Sequence, residues 1–328
     1  MATLTTAVNI ESLAVISSRL THLFRPCFTA ALNEEVTLWS LLPKRRSAAE
    51  AVRVKLHIGK PAQVYNSAYV DYAIYTVPVP LDTFEQARTL AQGHGNYDLW
   101  ADETACAAEK MREDLERALW GKQHGNGSLG IQDAIGPDEG IPSYLGLTRA
   151  GYPFLRAAVV DADGPLTFTP LRALFRQVQH GTGADIEGDE MTFKAADQGG
   201  GRVDVLLTTP EVETTYEALV TSNNRYPLPP APDRCFGPAL TDLVYRRAPI
   251  LGNAHCPAGA LYALDLSTWS IEILPQVTMN EKGERDEAGF ALVVEGMPGG
   301  KVSAFWRVYF QVVCSKPWRN GRIDGIVV

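Results

Sequence analysis

Apolar and polar positions change period several times along the chain, and each change predicts an element. Between Asp98 and Trp120, residues Trp100, Thr104, Ala107, Ala108, Met111, Leu115, Ala118 and Leu119 recur at spacings of three and four, which predicts one buried face of a long helix. Arg112 with Glu116, and Glu113 with Arg117, stand four apart and are expected on its outer faces. Gly121 can end it. At ~1.5 Å per residue such a helix is roughly 35 Å long and could act as a beam. From Val302 to Cys314 the period falls to two. Val302, Ala304, Trp306, Val308, Phe310 and Val312 alternate with Ser303, Arg307, Tyr309 and Gln311, which predicts a long strand. Between these lies a strand, cap and helix. Val203, Val205, Leu206 and Leu207 suit a buried strand. Thr209 can cap the helix that follows, and Pro210 fits its first position, where no amide donor is needed. Val212, Tyr216, Leu219 and Val220 share one face of that helix.

The remaining patterns are shorter. Val52, Val54, Leu56 and Ile58 alternate with Arg53, Lys55 and His57, and a second β-rich run covers Tyr69 to Val79. The two runs, around a Gly-Pro-containing loop, predict a long hairpin over residues 51–80. Its alternation leaves one face apolar, so the hairpin is expected to need a surface to lie on. In residues 1–48, Leu13, Ile16, Leu20, Leu23 and Phe24 recur at helical spacing, and Leu38, Trp39, Leu41 and Leu42 form a second cluster before Pro43. These fit either two short core helices or an arm that docks on a neighbour. Leu171, Leu174, Phe175 and Val178 predict a helix opened by Thr169 and Pro170. Trp269–Leu274 and Gly289–Gly296 predict strands around a charged turn.

Composition narrows the function classes. Hydrophobic residues make up 45% of the 328, enough for a real core. The net charge of −8 gives no global basic field for nucleic acid. Five dispersed cysteines form no C-x-x-C pair, against a disulfide framework or a zinc ribbon and in keeping with a reducing cytoplasm. No signal peptide is expected from the N-terminal residues, and no apolar run reaches the ~18 residues of a membrane span.

Chemical motifs fail their contexts. Gly125 to Gly130 matches G-x-G-x-x-G but follows a helix rather than a strand. The same stretch misses a serine nucleophile elbow because Asn126 stands where glycine is needed. Gly59-Lys60, Gly121-Lys122 and Gly300-Lys301 lack the Ser or Thr of a phosphate loop. Asp161-Ala162-Asp163-Gly164 is a fragment of a calcium loop without its other ligands. His255 beside Cys256 has no evident third and fourth metal ligand. Cys235, followed by Phe236-Gly237-Pro238, suits a structural thiol better than a nucleophile. No catalytic, cofactor or metal residue is assigned.

Several segments, in order, resemble the major capsid proteins of tailed phages. They are Leu207-Thr208-Thr209-Pro210 leading to a helix that ends Arg225-Tyr226; Pro249, Ile250, Asn253, Pro257, Gly259, Tyr262 and Leu264; Tyr144-Leu145-Gly146-Leu147-Thr148-Arg149; and Asn320-Gly321 through Gly325. The resemblance implies an α+β HK-ninety-seven-like phage capsid fold. Its parts would be an N-terminal arm (1–48), an extended β-hairpin region or E-loop (49–95), a spine helix with a peripheral (P) domain (96–202), an axial (A) domain (203–275), and strands returning to the peripheral domain (276–328). It implies a structural protein rather than an enzyme, assembling as hexamers and pentamers into an icosahedral head shell around double-stranded DNA. No cofactor is implied. Partners would be other copies, a separate scaffolding protein, a portal, possible decoration proteins, and DNA without sequence-specific contacts, with no membrane. The location would be the virion, after assembly in the host bacterial cytoplasm. Lys60, Pro61, Tyr65, Tyr69, Tyr72 and Trp39 are the expected inter-subunit contacts. A cellular nanocompartment shell of the encapsulin type, or a cytosolic hydrolase using Cys235 or a carboxylate pair, are the alternatives.

Overall fold

The computed structural model describes residues 38–47, 49, 51–58, 64–79, 96–121, 127–136, 141, 143–180, 200–223, 243–279, 285–296 and 302–328. In chain order these form α1 (Leu38–Leu41), β1 (Lys44–Arg46), β2 (Val52–Ile58), β3 (Val64–Val70), β4 (Ala73–Val79), α2 (Asn96–Trp120), α3 (Ile131–Ile135), β5 (Ser143–Tyr144), β6 (Leu147–Thr148), β7 (Ala158–Gly164), α4 (Phe168–His180), β8 (Val205–Thr208) and α5 (Pro210–Asn223). There follow β9 (Val244–Tyr245), β10 (Ala248–Gly252), β11 (Leu261–Leu264), β12 (Trp269–Ile273), β13 (Gln276–Met279), β14 (Arg285–Ala288), β15 (Phe290–Gly296), β16 (Val302–Cys314) and β17 (Gly321–Ile326).

The long helix forms where its apolar stripe predicts. Thr104, Ala107, Ala108, Met111, Leu115, Ala118 and Leu119 are all buried, and α2 packs on β4 and α1. Glu113 and Arg117 pair on the exposed side. The expected outer pair of Arg112 and Glu116 is corrected. Glu116 is buried, and its Oε1 accepts the Leu38 amide at the start of α1. A carboxylate that takes up a free helix N-terminal donor is favoured there by the helix dipole as well.

The terminal strand β16 organises a five-stranded sheet. β4 runs antiparallel along residues 304–310 of β16. β15 pairs with residues 302–308 and β12 with residues 310–314. Because β4 and β15 oppose the same residues, they lie on opposite edges. β12 and β15 therefore share one edge end to end, and the hairpin β13–β14 leaves the sheet between them. β1 adds in parallel outside β12. The predicted second hairpin strand, Tyr69–Val79, is thus two elements. β3 closes the hairpin with β2, while β4 joins the sheet, its alternate residues Ala73, Tyr75, Val77 and Val79 buried toward α2.

A six-stranded mixed sheet runs β7-β17-β11-β8-β10-β9. Its central strands are apolar on both faces. Leu206, Leu261 and Ala263 join a cluster with Leu171, Leu174 and Phe175 of α4 and Val212 and Tyr216 of α5. Val205, Leu207, Tyr262 and Leu264 join the other cluster, with α2 and β16. Burial on two faces explains why these strands read as continuous apolar runs rather than alternations. The expected return to the sheet of β16 stops at Cys314. Residues 321–326 instead enter this second sheet, between β7 and β11.

Candidate functional site

The segments that the sequence singled out converge at the junction between the two sheets. Trp120, at the end of α2, donates its indole N–H to Asn253 Oδ1 at 2.9 Å and meets the Tyr262 ring edge-on at 5.3 Å. Asn253 in turn donates its amide to the Thr208 carbonyl at 2.7 Å. Asn320 is fully buried. Its Oδ1 accepts from the Asp265 amide at 2.8 Å and the Trp269 indole at 2.9 Å, and its Nδ2 donates to Thr268 Oγ1 and the Lys316 carbonyl, each at 3.0 Å. One amide side chain thus holds the end of β16, the start of β12 and the entry to β17. Gly321 is required next to it, since a Cβ there would lie 2.7 Å from Leu174 and 2.9 Å from the Ala158 carbonyl.

The Tyr144–Arg149 segment has the same framing character. β5 and β6 turn through Leu145 and Gly146 at positive φ. The Tyr144 hydroxyl accepts the Cys314 amide at 2.8 Å. Arg149, buried, donates to the Asp133 carbonyl at 2.6 Å and to the Gly136 carbonyl, closing the end of α3. Burial pushes the Tyr144 phenol well up, with Cys314 adding to it. Burial likewise pushes the Cys314 thiol up to about 12. These groups hold their protons and act as hydrogen-bond partners.

Among the described residues no cluster of three or more His, Cys, Asp or Glu could hold a metal. Burial pushes the Cys256 thiol strongly up, with its sulfur 3.8 Å from the Ala260 carbonyl. Asp161 to Gly164 end an edge strand in a turn, where the Asp163 amide donates to Asp161 Oδ1 at 3.1 Å. Cys235 and the Gly125-Asn126 pair lie outside the described residues. Among those residues no helix is long and apolar enough to cross a membrane.

The expected contact residues scatter. Trp39 is corrected: it is 3% exposed and packs within its own chain against Phe290 and Phe310, so it is not offered to a neighbour. Tyr72 is half-buried and donates to the Ser47 carbonyl at 3.2 Å. Tyr69 is 65% exposed. Tyr65 stands opposite His57 in the hairpin register; Lys60 and Pro61 lie outside the described residues. At the hairpin root Val52, Val54 and Ala68 join the chain's own main core, while Arg53 and Tyr69 face out. The apolar face therefore has a surface within the subunit at its root.

Sequence reasoning missed a second exposed apolar surface. On the outer face of the five-stranded sheet Ile74 stands opposite Tyr309 and Pro78 opposite Phe305. Ile74 is 52% exposed. Between them the Arg307 guanidinium lies 5.2 Å from the Tyr309 ring, and Gln276 at the root of the β13–β14 hairpin donates to the Arg307 carbonyl at 2.9 Å. The alternation of β16 pointed to a two-faced strand; only the pairing with β4 shows which residues share the open face.

No family model and no curated protein matches the sequence. Solved structures do match. The SrpI encapsulin of Synechococcus elongatus PCC 7942 aligns with a TM-score of 0.60 at 15% identity, over 88% of this chain and 86% of that one. The capsid of cyanophage A-1(L) aligns with a TM-score of 0.60 at 15% identity, over 89% and 93%. The capsid of a native GTA particle gives 0.54 at 10% identity, over 89% and 90%. This chain has the HK-ninety-seven-like shell fold. Within that fold, the junction of Trp120, Asn253 and Asn320 is a frame, and the hairpin and the open sheet face are the surfaces it presents. The fold likeness spans nearly the whole chain, and the α+β class predicted from sequence agrees with it.

Proposed function

We propose that the protein is the major capsid protein of a tailed phage, assembling as hexamers and pentamers into an icosahedral head shell around double-stranded DNA. The observation that carries this reading is the structural match of 89% of the chain to 93% of a phage capsid chain. On this reading the five-stranded sheet with α2 is the peripheral domain and spine, the six-stranded sheet with α4 and α5 is the axial domain, and the β2–β3 hairpin is the extended loop. Residues 1–48 are the arm. The role is structural rather than catalytic. Lys60, Pro61, Tyr65, Tyr69 and Tyr72 are its proposed inter-subunit contacts. A separate scaffolding protein, a portal and decoration proteins are its proposed partners, with assembly in the host bacterial cytoplasm and a final place in the virion.

Expression with its neighbouring structural genes, followed by electron microscopy and sedimentation, tests the reading. Closed shells holding nuclease-protected double-stranded DNA are expected; stable monomers or dimers alone refute it. A second reading, an encapsulin-type compartment, is favoured by the equal TM-score to the encapsulin subunit. Shells that enclose a co-expressed enzyme and no DNA would select it.

A further inference from the structure

Three consecutive cations form the edge strand that joins the arm to the five-stranded sheet. Lys44, Arg45 and Arg46 make up β1, and all three are exposed, in a chain of net charge −8. Residues 44–55 carry five cations and one acid. None of the three makes an ion pair with a described residue. The Lys44 ammonium lies 5.4 Å from the centre of the Trp39 ring.

The main chain adds donors. Among the described residues β1 pairs, in parallel, with β12 alone. The Pro43 carbonyl accepts from Ile271 at 2.7 Å, and the Ser47 amide donates to Ile273 at 3.1 Å. Parallel pairing uses alternate residues, so residues 43, 45 and 47 address β12. The amides of Lys44 and Arg46 turn to the open edge. Cations on a short edge strand oppose pairing with another strand, which disfavours β-addition by a second copy. Cationic side chains together with free backbone N–H groups are the groups that meet phosphate oxygens on a duplex.

We infer that β1 is a phosphate-contacting site for double-stranded DNA held inside the shell, an inference that rests on the capsid reading above. The contact is sequence-independent, because nothing in it reads base edges. Set in an acidic chain, it would fix where packaged DNA touches the wall while the surrounding surface holds the duplex off. The base of the arm becomes a tether rather than a uniform lining.

The test measures fluorescence anisotropy of a labelled 20-base-pair duplex with the unassembled full-length subunit across a salt series. Three phosphate contacts predict a fall in affinity of about 40-fold between 50 and 200 mM salt. The triple variant Lys44→Gln/Arg45→Gln/Arg46→Gln should lose both the binding and the salt slope. The control Arg172→Gln/Arg176→Gln, at two exposed positions on α4, should keep both. Circular dichroism confirms that each variant is folded. Absent binding by the natural subunit at 50 mM salt, or equal binding by the triple variant, overturns the site. Displacement of the duplex by a poly-glutamate peptide at lower charge equivalents assigns β1 to an acidic protein and also overturns it. Electron microscopy of the natural protein expressed with its neighbouring structural genes is read separately: absence of shells there rejects the capsid reading, whereas duplex binding by the subunit still reports on β1.

Discussion

Trp120 and Asn253, 133 residues apart, share a hydrogen bond of 2.9 Å that ties the end of the long helix to the six-stranded sheet. The same Asn253 oxygen accepts the His255 amide at 2.9 Å, so one side chain fixes both the helix and its own loop. Asn253→Ala leaves the indole N–H of a residue only 2% exposed without its acceptor. Stranding a buried donor costs about 1–3 kcal/mol, and a lowered urea midpoint with an unchanged slope is the expected result. Asn253→Asp keeps an acceptor and should lose less. Equal midpoints for Asn253→Ala and the natural protein would show that the bond carries no net stability.

Leu115 lies at the middle of the buried stripe of α2 and is fully buried. Leu115→Asp would place a carboxylate there with no room for water, at a cost of several kcal/mol or a shifted protonation state. Insoluble or unfolded protein is expected. Leu115→Ala, which removes volume without adding charge, should remain soluble and lose about 2–5 kcal/mol. A soluble Leu115→Asp with the natural melting curve would mean that this face is not the buried one.

Much of this architecture could be read from periodicity because its longest elements are regular and two-faced. The stripe of Met111, Leu115 and Leu119 and the alternation of Trp306, Val308 and Phe310 are local signals, and both elements formed as expected. Glu116 misled because its spacing from Arg112 is that of a surface pair; its partner, the Leu38 amide, is 78 residues away. Ala73–Val79 misled because a strand's period does not say which strand it pairs with, and β16 took it from the hairpin. Trp39 gave no sign of its side, since an aromatic residue suits a core and an interface alike. In the sequence Asn320 stood out only as part of the capsid-like segment from Asn320 to Gly325. Its role as a buried acceptor and donor depends on Asp265 and Trp269, which the fold brings to it.

Burial pushes the Cys314 thiol from 9.0 up to about 12 and the Tyr216 phenol from 10.0 to about 12. Above pH 9 the unfolded chain releases protons that the folded protein keeps. The native state then binds more protons, so stability falls as pH rises. Urea midpoints should be level between pH 7 and 8.5 and decline from about pH 9 onward. At pH 8, native Cys256 and Cys314 should resist iodoacetamide while exposed Cys106 reacts. Prompt alkylation of Cys314 in folded protein, or stability that is flat to pH 11, contradicts the burial.

The hairpin distinguishes a subunit's own stability from its capacity to assemble. Val52, Val54 and Ala68 at the root belong to the main core, and Arg53 Nε donates to Ser67 Oγ at 3.0 Å across the strands. A two-stranded ribbon is marginal on its own in water, so the root is held by the body beneath it. Replacing His57 to Tyr65 with Asn-Gly keeps the strand pairs from Val52↔Val70 to Leu56↔Asn66 and supplies a tight turn suited to a hairpin. The shortened protein should melt close to the natural one, because nothing in the root has been removed. If the capsid reading holds, it should fail to form shells, because the excised part is the reach toward the next subunit. A longer excision, Val54 to Ala68, also takes two core residues and should destabilise the isolated subunit as well. Melting curves of both unassembled variants, beside electron microscopy of both assembly reactions, separate the two contributions. Normal shells from the short excision would mean that the hairpin tip is dispensable and that the contacts between subunits lie elsewhere, with the open face of Ile74 and Tyr309 the next place to cut.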